Sequence, residues 1–303
     1  MSGPEHKKDI DPVTGVETMG HEWDGIKELN NPAPRWWLWV FYVCCIFSFG
    51  YWIVYPAWPT LNGNTAGIWG WTSYNKLVNE QAEIKTIQAA HTAKLEKAGF
   101  AQIQNDPDLY AFAVEGGRAA FRDNCATCHG SGAAGNIGYP NLNDDDWLWG
   151  GSIEAIEQTI LYGIRSGHAN ARDSQMPAFG KDGVLESADV DAVTDYVLTL
   201  SGAEHKATYE KGATVFAENC AACHGDEGKG GRDFGAPNLT DKIWLYGGDR
   251  AQVYQTVFSA HAGVMPTWEA RLDRNTIREL AVYVHSLGGG EPSESVTAPA
   301  PVE

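Results

Sequence analysis

Two short stretches carry residues able to do chemistry: Cys125-Ala126-Thr127-Cys128-His129 and Cys220-Ala221-Ala222-Cys223-His224. In each, two thiols three residues apart stand beside an imidazole. Thiolates at that spacing can add across the two vinyl groups of a haem, and the adjacent histidine is then placed under the iron. The pattern therefore predicts two covalently bound haem c groups, attached through Cys125, Cys128, Cys220 and Cys223, with His129 and His224 as axial ligands. A four-cysteine zinc site would leave both histidines without a role. A thioredoxin-like dithiol would need a βαβ context, which neither segment has. The haem brings the redox chemistry, and the chain supplies ligands, burial and partner contacts.

The elements that must position these residues come in two copies. Gly117 to Phe121 matches Gly212 to Phe216, Pro140-Asn141-Leu142 matches Pro237-Asn238-Leu239, and Trp147-Leu148-Trp149-Gly150-Gly151 matches Trp244-Leu245-Tyr246-Gly247-Gly248. Gln158-Thr159 pairs with Gln255-Thr256, and Tyr196-Val197 with Tyr283-Val284. Self-similarity at a spacing near 95 residues means a duplicated domain. The boundaries are set at 105–203 and 205–289, with Ser201-Gly202 as the hinge and 290–303, rich in Pro, Ala, Ser and Glu, as a disordered tail.

Ahead of the repeats, Trp36 to Tyr55 is a run of 20 residues without a charge, long enough to cross a bilayer as a helix. Trp36, Trp37 and Trp39 at one end, and Tyr51, Trp52, Tyr55 and Trp58 at the other, suit the two interfacial belts, and Pro56 stops the helix. A secretory h-region would be shorter and nearer the start. Residues 36–56 are thus expected to be an uncleaved anchor. Lys7, Lys8, Lys27 and Arg35 precede it and only Lys76 closely follows, which puts the N-terminal segment 1–35 in the cytoplasm. By composition that segment reads as surface or linker. Residues 57–104 read as a linker, with a loop over 60–73 and a helix from Tyr74 to Ala98 that Gly99 ends.

The 303-residue chain has 39 acidic and 22 basic residues, a formal charge of -17, which argues against nucleic acid as a partner and suits docking to a basic protein. Asp144 to Asp146, and Glu186, Asp189, Asp191 and Asp195, are either a solvated face or a steering surface for a basic donor cytochrome. Cys44 and Cys45 lie in the apolar run, so no disulfide framework is indicated.

Each repeat resembles a class I cytochrome c over its full length, which makes the expected fold mainly α. In that family a second axial ligand, usually Met, comes from a loop after the haem motif. Met176 and Met265 occur once per repeat, each followed by a proline that steers it onto extended backbone. His168 and His261, 8 and 4 residues earlier, are the rival ligands. Ligation within each repeat is the simpler arrangement; exchange between repeats is the other. The resemblance also implies that Pro140 and Pro237 accept a hydrogen bond from the iron-ligating histidines, and that Leu142 and Leu239 cover the haem face.

The stretch H-E-W-D-G-I-K-E-L-N-N-P-A-P-R-W-W-L-W from His21, the anchor ending Y-P-A-W-P at Pro59, and the two haem domains together resemble the dihaem subunit (subunit III, CcoP or FixP) of cbb3-type cytochrome c oxidases. That resemblance implies a bacterial inner-membrane complex with a haem-copper catalytic subunit and a monohaem cytochrome c subunit. It implies haem domains in the periplasm, electrons taken from a soluble or membrane-bound donor cytochrome c, and no substrate-converting centre in this chain. Two other readings are a dihaem electron-transfer subunit of a dehydrogenase or nitric oxide reductase, and a dihaem peroxidase. The latter needs an iron with an open or displaceable ligand.

Overall fold

The computed structural model describes residues 9–204 and 206–292. Lys7, Lys8 and residues 293–303 of the expected tail 290–303 lie outside them, while Glu291, near its start, is held to the body by a hydrogen bond from its amide to the Gly151 carbonyl at 2.9 Å. By contact, the chain forms two units, Met1–Ile87 and Gln88–Glu303.

In the first unit, strands β1 (Thr18–Trp23) and β2 (Ile26–Leu29) form an antiparallel hairpin. Composition hid it, but the turn signal is in the sequence: Asp24-Gly25 takes φ of 50° and 83°, the left-handed pair that a two-residue hairpin needs. Helix α1 (Arg35–Val54) follows, with Pro34 just ahead of it and Tyr55-Pro56 behind. It is the one helix among the described residues long and apolar enough to cross a membrane, and none of its residues is buried. The expected loop over 60–73 contains a two-rung hairpin, β3 (Pro59–Thr60) against β4 (Gly63–Asn64). Helix α2 (Ser73–Lys97) then begins, close to the expected span.

The second unit is helical and contains two cores. The first gathers the end of α2, α3 (Phe100–Asn105), α4 (Pro107–Asn124), α5 (Ala126–His129) and α6 (Ile153–Tyr162). Leu95 and Ile103 are fully buried in it, so residues expected to be linker belong to the packed body. Asp106 caps α4 by accepting from the amides of Asp108 and Leu109, and Pro107 fills the first position, where its missing N–H costs nothing. The second core gathers α7 (Ser187–Leu200), α8 (Tyr209–Asn219), α9 (Ala221–His224) and α10 (Arg250–Ser259).

The last helix, α11 (Arg274–His285), does not join the core of its own repeat. It packs on α4 and α6, and Ile277, Leu280 and Val284 are buried in the first core. Conversely α7, the last helix of the first repeat, packs on α8 and α10 in the second core. The units that pack are therefore not the sequence repeats 105–203 and 205–289: each core takes its closing helix from the other repeat.

Both helix crossings use the same chemistry. Gly117 of α4 meets α11 so closely that an added Cβ would lie 2.1 Å from the Glu279 carbonyl oxygen, and Gly212 of α8 meets α7 with 2.3 Å to that of Ala192. Phe121 packs against Tyr283 at 5.5 Å between ring centroids, and Phe216 against Tyr196 at 5.3 Å. Only eight residues separate α7 from α8. So short a connection favours packing of sequence neighbours.

Candidate haem sites

Each CxxCH stretch is a cap followed by a single helical turn. Phe121 closes the last turn of α4 onto the Cys125 amide, and α5 runs from Ala126 to His129; Phe216, Cys220 and α9 repeat the arrangement. Cys125 packs at the edge of the first core and Cys220 is buried in the second, so the two thiol pairs lie in different cores. Burial, then the neighbouring thiol, pushes the Cys125 and Cys220 thiols up to about 11.

Each histidine has one ring nitrogen held by a backbone carbonyl. His129 Nδ1 lies 3.2 Å from the Pro140 carbonyl and His224 Nδ1 lies 3.0 Å from that of Pro237. A carbonyl can only accept, so the proton sits on Nδ1 and the lone pair is left on Nε2. Burial holds both imidazoles below their ordinary pKa, against the opposing pull of that hydrogen bond, which favours the neutral, metal-binding form.

Beside Cys220, Cys223 and His224 opens a cleft of about 1380 Å³, counting its mouth. Phe216, Leu239, Val253 and Val257 supply apolar walls. Met176 lines this cleft and packs against the second core. Met265 packs against the first core, which contains Phe121, as do Leu142 and Trp147. The structure thus brings Met176 to the second CxxCH stretch and sets Met265 in the core that holds the first. Leu142 packs against the first core and Leu239 is buried in the second.

Both nitrogens of His168 are engaged: Nδ1 accepts from the Asn170 amide at 3.0 Å, and Nε2 is 3.2 Å from the Glu269 carboxylate. His261 stacks on Tyr246 with centroids 4.0 Å apart, at the rim of the second cleft.

The repeated Trp-Leu-aromatic-Gly-Gly stretches turn out to reach across. A Cβ on Gly235, in the loop after the second motif, would lie 2.2 Å from the Trp149 ring of the first repeat. Gly138, after the first motif, donates to the Leu245 carbonyl at 2.8 Å and lies under Tyr246. The repetition was visible in the sequence; the partner was not, because nothing local encodes it. Pro140 and Pro237 line one shared cleft with Asp144 and Asp146. Burial, then Asp241, Asp144 and Asp145, raises Asp146 to about 6.

The second acidic segment is not a free face. Asp195 is buried and ion-paired with Lys206 and Arg250, each at 2.7 Å, Asp191 with Arg250 at 2.8 Å, and Asp189 with Lys211 at 2.5 Å. These acids tie α7 to α8 and α10.

One apolar helix followed by two helical cores, each with a thiol pair and a carbonyl-oriented histidine, defines a c-type cytochrome with a candidate membrane anchor. The comparisons name the family. Residues 15–62 match the N-terminal domain of cytochrome oxidase-cbb3, FixP, and residues 112–197 and 207–284 match cytochrome c oxidase, cbb3-type, subunit III. Over 93% of the chain, it is 55% identical to the cbb3-type cytochrome c oxidase subunit FixP of Bradyrhizobium sp. (strain ORS 278), covering 98% of that protein. Over 90% of the chain, it is 54% identical to subunit CcoP of Cereibacter sphaeroides, covering 95% of it. The chain belongs to the subunit III family of cbb3-type cytochrome c oxidases, and haem c binding follows from its cytochrome c domains.

Proposed function

We propose that this subunit carries two haem c groups and relays single electrons from a donor cytochrome c to the catalytic core of the oxidase. Cys125 and Cys128 would hold one haem with His129 and Met265 as its axial ligands; Cys220 and Cys223 would hold the other with His224 and Met176. One observation carries this exchanged assignment: Met176 lines the cleft that contains Cys220, Cys223 and His224, although it belongs to the first repeat. The engagement of both His168 nitrogens, and the stacking of His261 on Tyr246, support methionine over histidine.

One-electron cycling between ferric and ferrous states is what haem supplies when bound. The chain's own residues orient and enclose. Pro140 and Pro237 orient the imidazoles, the thioether sulfurs of Met176 and Met265 would favour the reduced iron, and the apolar walls would keep water out. With a histidine and a methionine both committed to each haem, no position would be left open for a substrate, which favours relay over peroxidase chemistry.

The partners in this reading are the haem-copper catalytic subunit, the monohaem cytochrome c subunit and a basic, soluble or membrane-bound donor cytochrome c. Arg35 at the start of α1 and Lys27 before it support a cytoplasmic N-terminus, with the haem domains in the periplasm of an inner membrane.

Purifying the complex through a tag on this chain tests the reading. Two covalent haems on the denatured chain, and co-purification of a haem-copper subunit, are expected. One haem, or none, at the chain's mass sinks it.

A further inference from the structure

Arg165 stands where the chain leaves α6 and starts towards the second core. It takes φ 49°, a left-handed conformation uncommon for a residue with a Cβ and a pointer to a position held by its surroundings. Its amide donates to the Arg172 carbonyl at 2.8 Å. Its guanidinium donates in two directions: Nε to the Gly263 carbonyl at 2.7 Å and Nη1 to the Ser174 carbonyl at 2.6 Å. Gly263 lies two residues before Met265, and Ser174 two residues before Met176. One side chain therefore grips both methionine-bearing loops at equivalent points.

The duplication does not supply a second grip. With Gln158-Thr159 set against Gln255-Thr256, the residue opposite Arg165 is Ala262, which has nothing to donate. Among the residues lining the second cleft, Arg165 is the one permanently charged, and no carboxylate is present there to draw the guanidinium away from the carbonyls. A planar fork can hold two acceptors at a fixed separation, which a single ammonium cannot.

We propose that Arg165 is a positioning residue for both methionines at once, a clamp that fixes the two loops against each other so that both sulfur–iron bonds depend on it. This rests on the exchanged ligand assignment above. A ligand on a loosely supported loop is displaced easily, and the residues that support a ligand decide how firmly it stays.

The test uses the full-length chain in the purified oxidase, with variants Arg165→Gln and Arg165→Lys. The readouts are covalent haem content, the weak long-wavelength ferric band of methionine-bound haem, and the potentials of both haem c centres. With Arg165→Gln we expect unchanged haem content, loss of band intensity from both haems and a downward shift of both potentials. Arg165→Lys keeps the charge without the fork and should show the same losses to a smaller degree; it carries the test if the glutamine variant does not accumulate. Wild-type bands and potentials in both variants overturn the clamp. So does a shift confined to the second haem and restored by lysine, which marks a charge effect at one cleft. Met176→Ala and Met265→Ala serve as controls, each expected to abolish the band of one haem. Should they leave the bands intact, the ligand assignment fails and the clamp with it; should they act as expected while the arginine variants do not, the clamp alone fails.

Discussion

Ile164 and Met265, 101 residues apart, exchange two backbone hydrogen bonds, each 3.0 Å long. This is the point where the chain crosses itself: the segment leaving α6 for the second core runs antiparallel to the segment that returns from α10 to the first. Ile164 also bridges to Arg172 on its other side. Both methionines are thus carried on segments that meet at one small backbone ladder.

Exchange makes an asymmetric prediction. In a chain that keeps only the first CxxCH stretch, with Cys220 and Cys223 replaced by Ser, Met265→Ala should lower the potential of the remaining haem by at least about 60 mV, tenfold for one electron. Met176→Ala should leave it near its starting value. The reverse pattern in a potentiometric titration would restore ligation within each repeat.

The helix crossings should be intolerant of a single methyl. Gly117→Ala and Gly212→Ala each drive a Cβ into a facing backbone carbonyl, and neither helix can yield without moving its whole core. Overpacking of this kind costs about 1–3 kcal/mol or more. Urea midpoints of the two variants, followed by haem absorbance, should both fall; an unchanged midpoint for Gly212→Ala would contradict the close approach of α7 and α8.

Glu279 of α11 lies over Gly116 and Gly117, where burial, with Asp273 adding to it, pushes its carboxyl up to about 7. The unfolded chain releases that proton near 4.5, so between about 4.5 and 7 the native state binds more protons and stability falls as pH rises. The penalty is absent below this window and complete above it. Glu279→Gln should remove the penalty, raising stability by on the order of 1–2 kcal/mol at pH 8 after allowance for partial exposure, and changing little at pH 4.5. Equal gains at both pH values would argue against this assignment.

Arg278 reaches from α11 to the end of α2, where its guanidinium donates to the carbonyls of Leu95, Glu96 and Ala98 and lies over the Phe100 ring. Those carbonyls have no helical partner of their own, since α2 ends there. Arg278→Leu should cost about 1–3 kcal/mol and open the 95–100 segment. Limited proteolysis would read this as new cleavage near residue 98, against an intact wild-type chain.

Much of this protein could be read without its coordinates. The Cys125-to-His129 and Cys220-to-His224 stretches, the apolar run from Trp36 and the repeated Gly-to-Phe and Pro-Asn-Leu segments are local signals, and local chemistry fixes what each can form. A thiol pair beside an imidazole has one economical use, and 20 uncharged residues have few places to go. The hairpin at Asp24-Gly25 was equally local, though hidden by the polar composition around it. Only the tertiary structure decided which half closes on which. The two repeats offer the same glycine, phenylalanine and tyrosine at their helix crossings, so those matched residues do not by themselves make the choice between Tyr196 and Tyr283 as the partner of Gly117. The short connection from α7 to α8, and the crossing at Ile164 and Met265, resolve it in space, and the two methionines go where their helices lead.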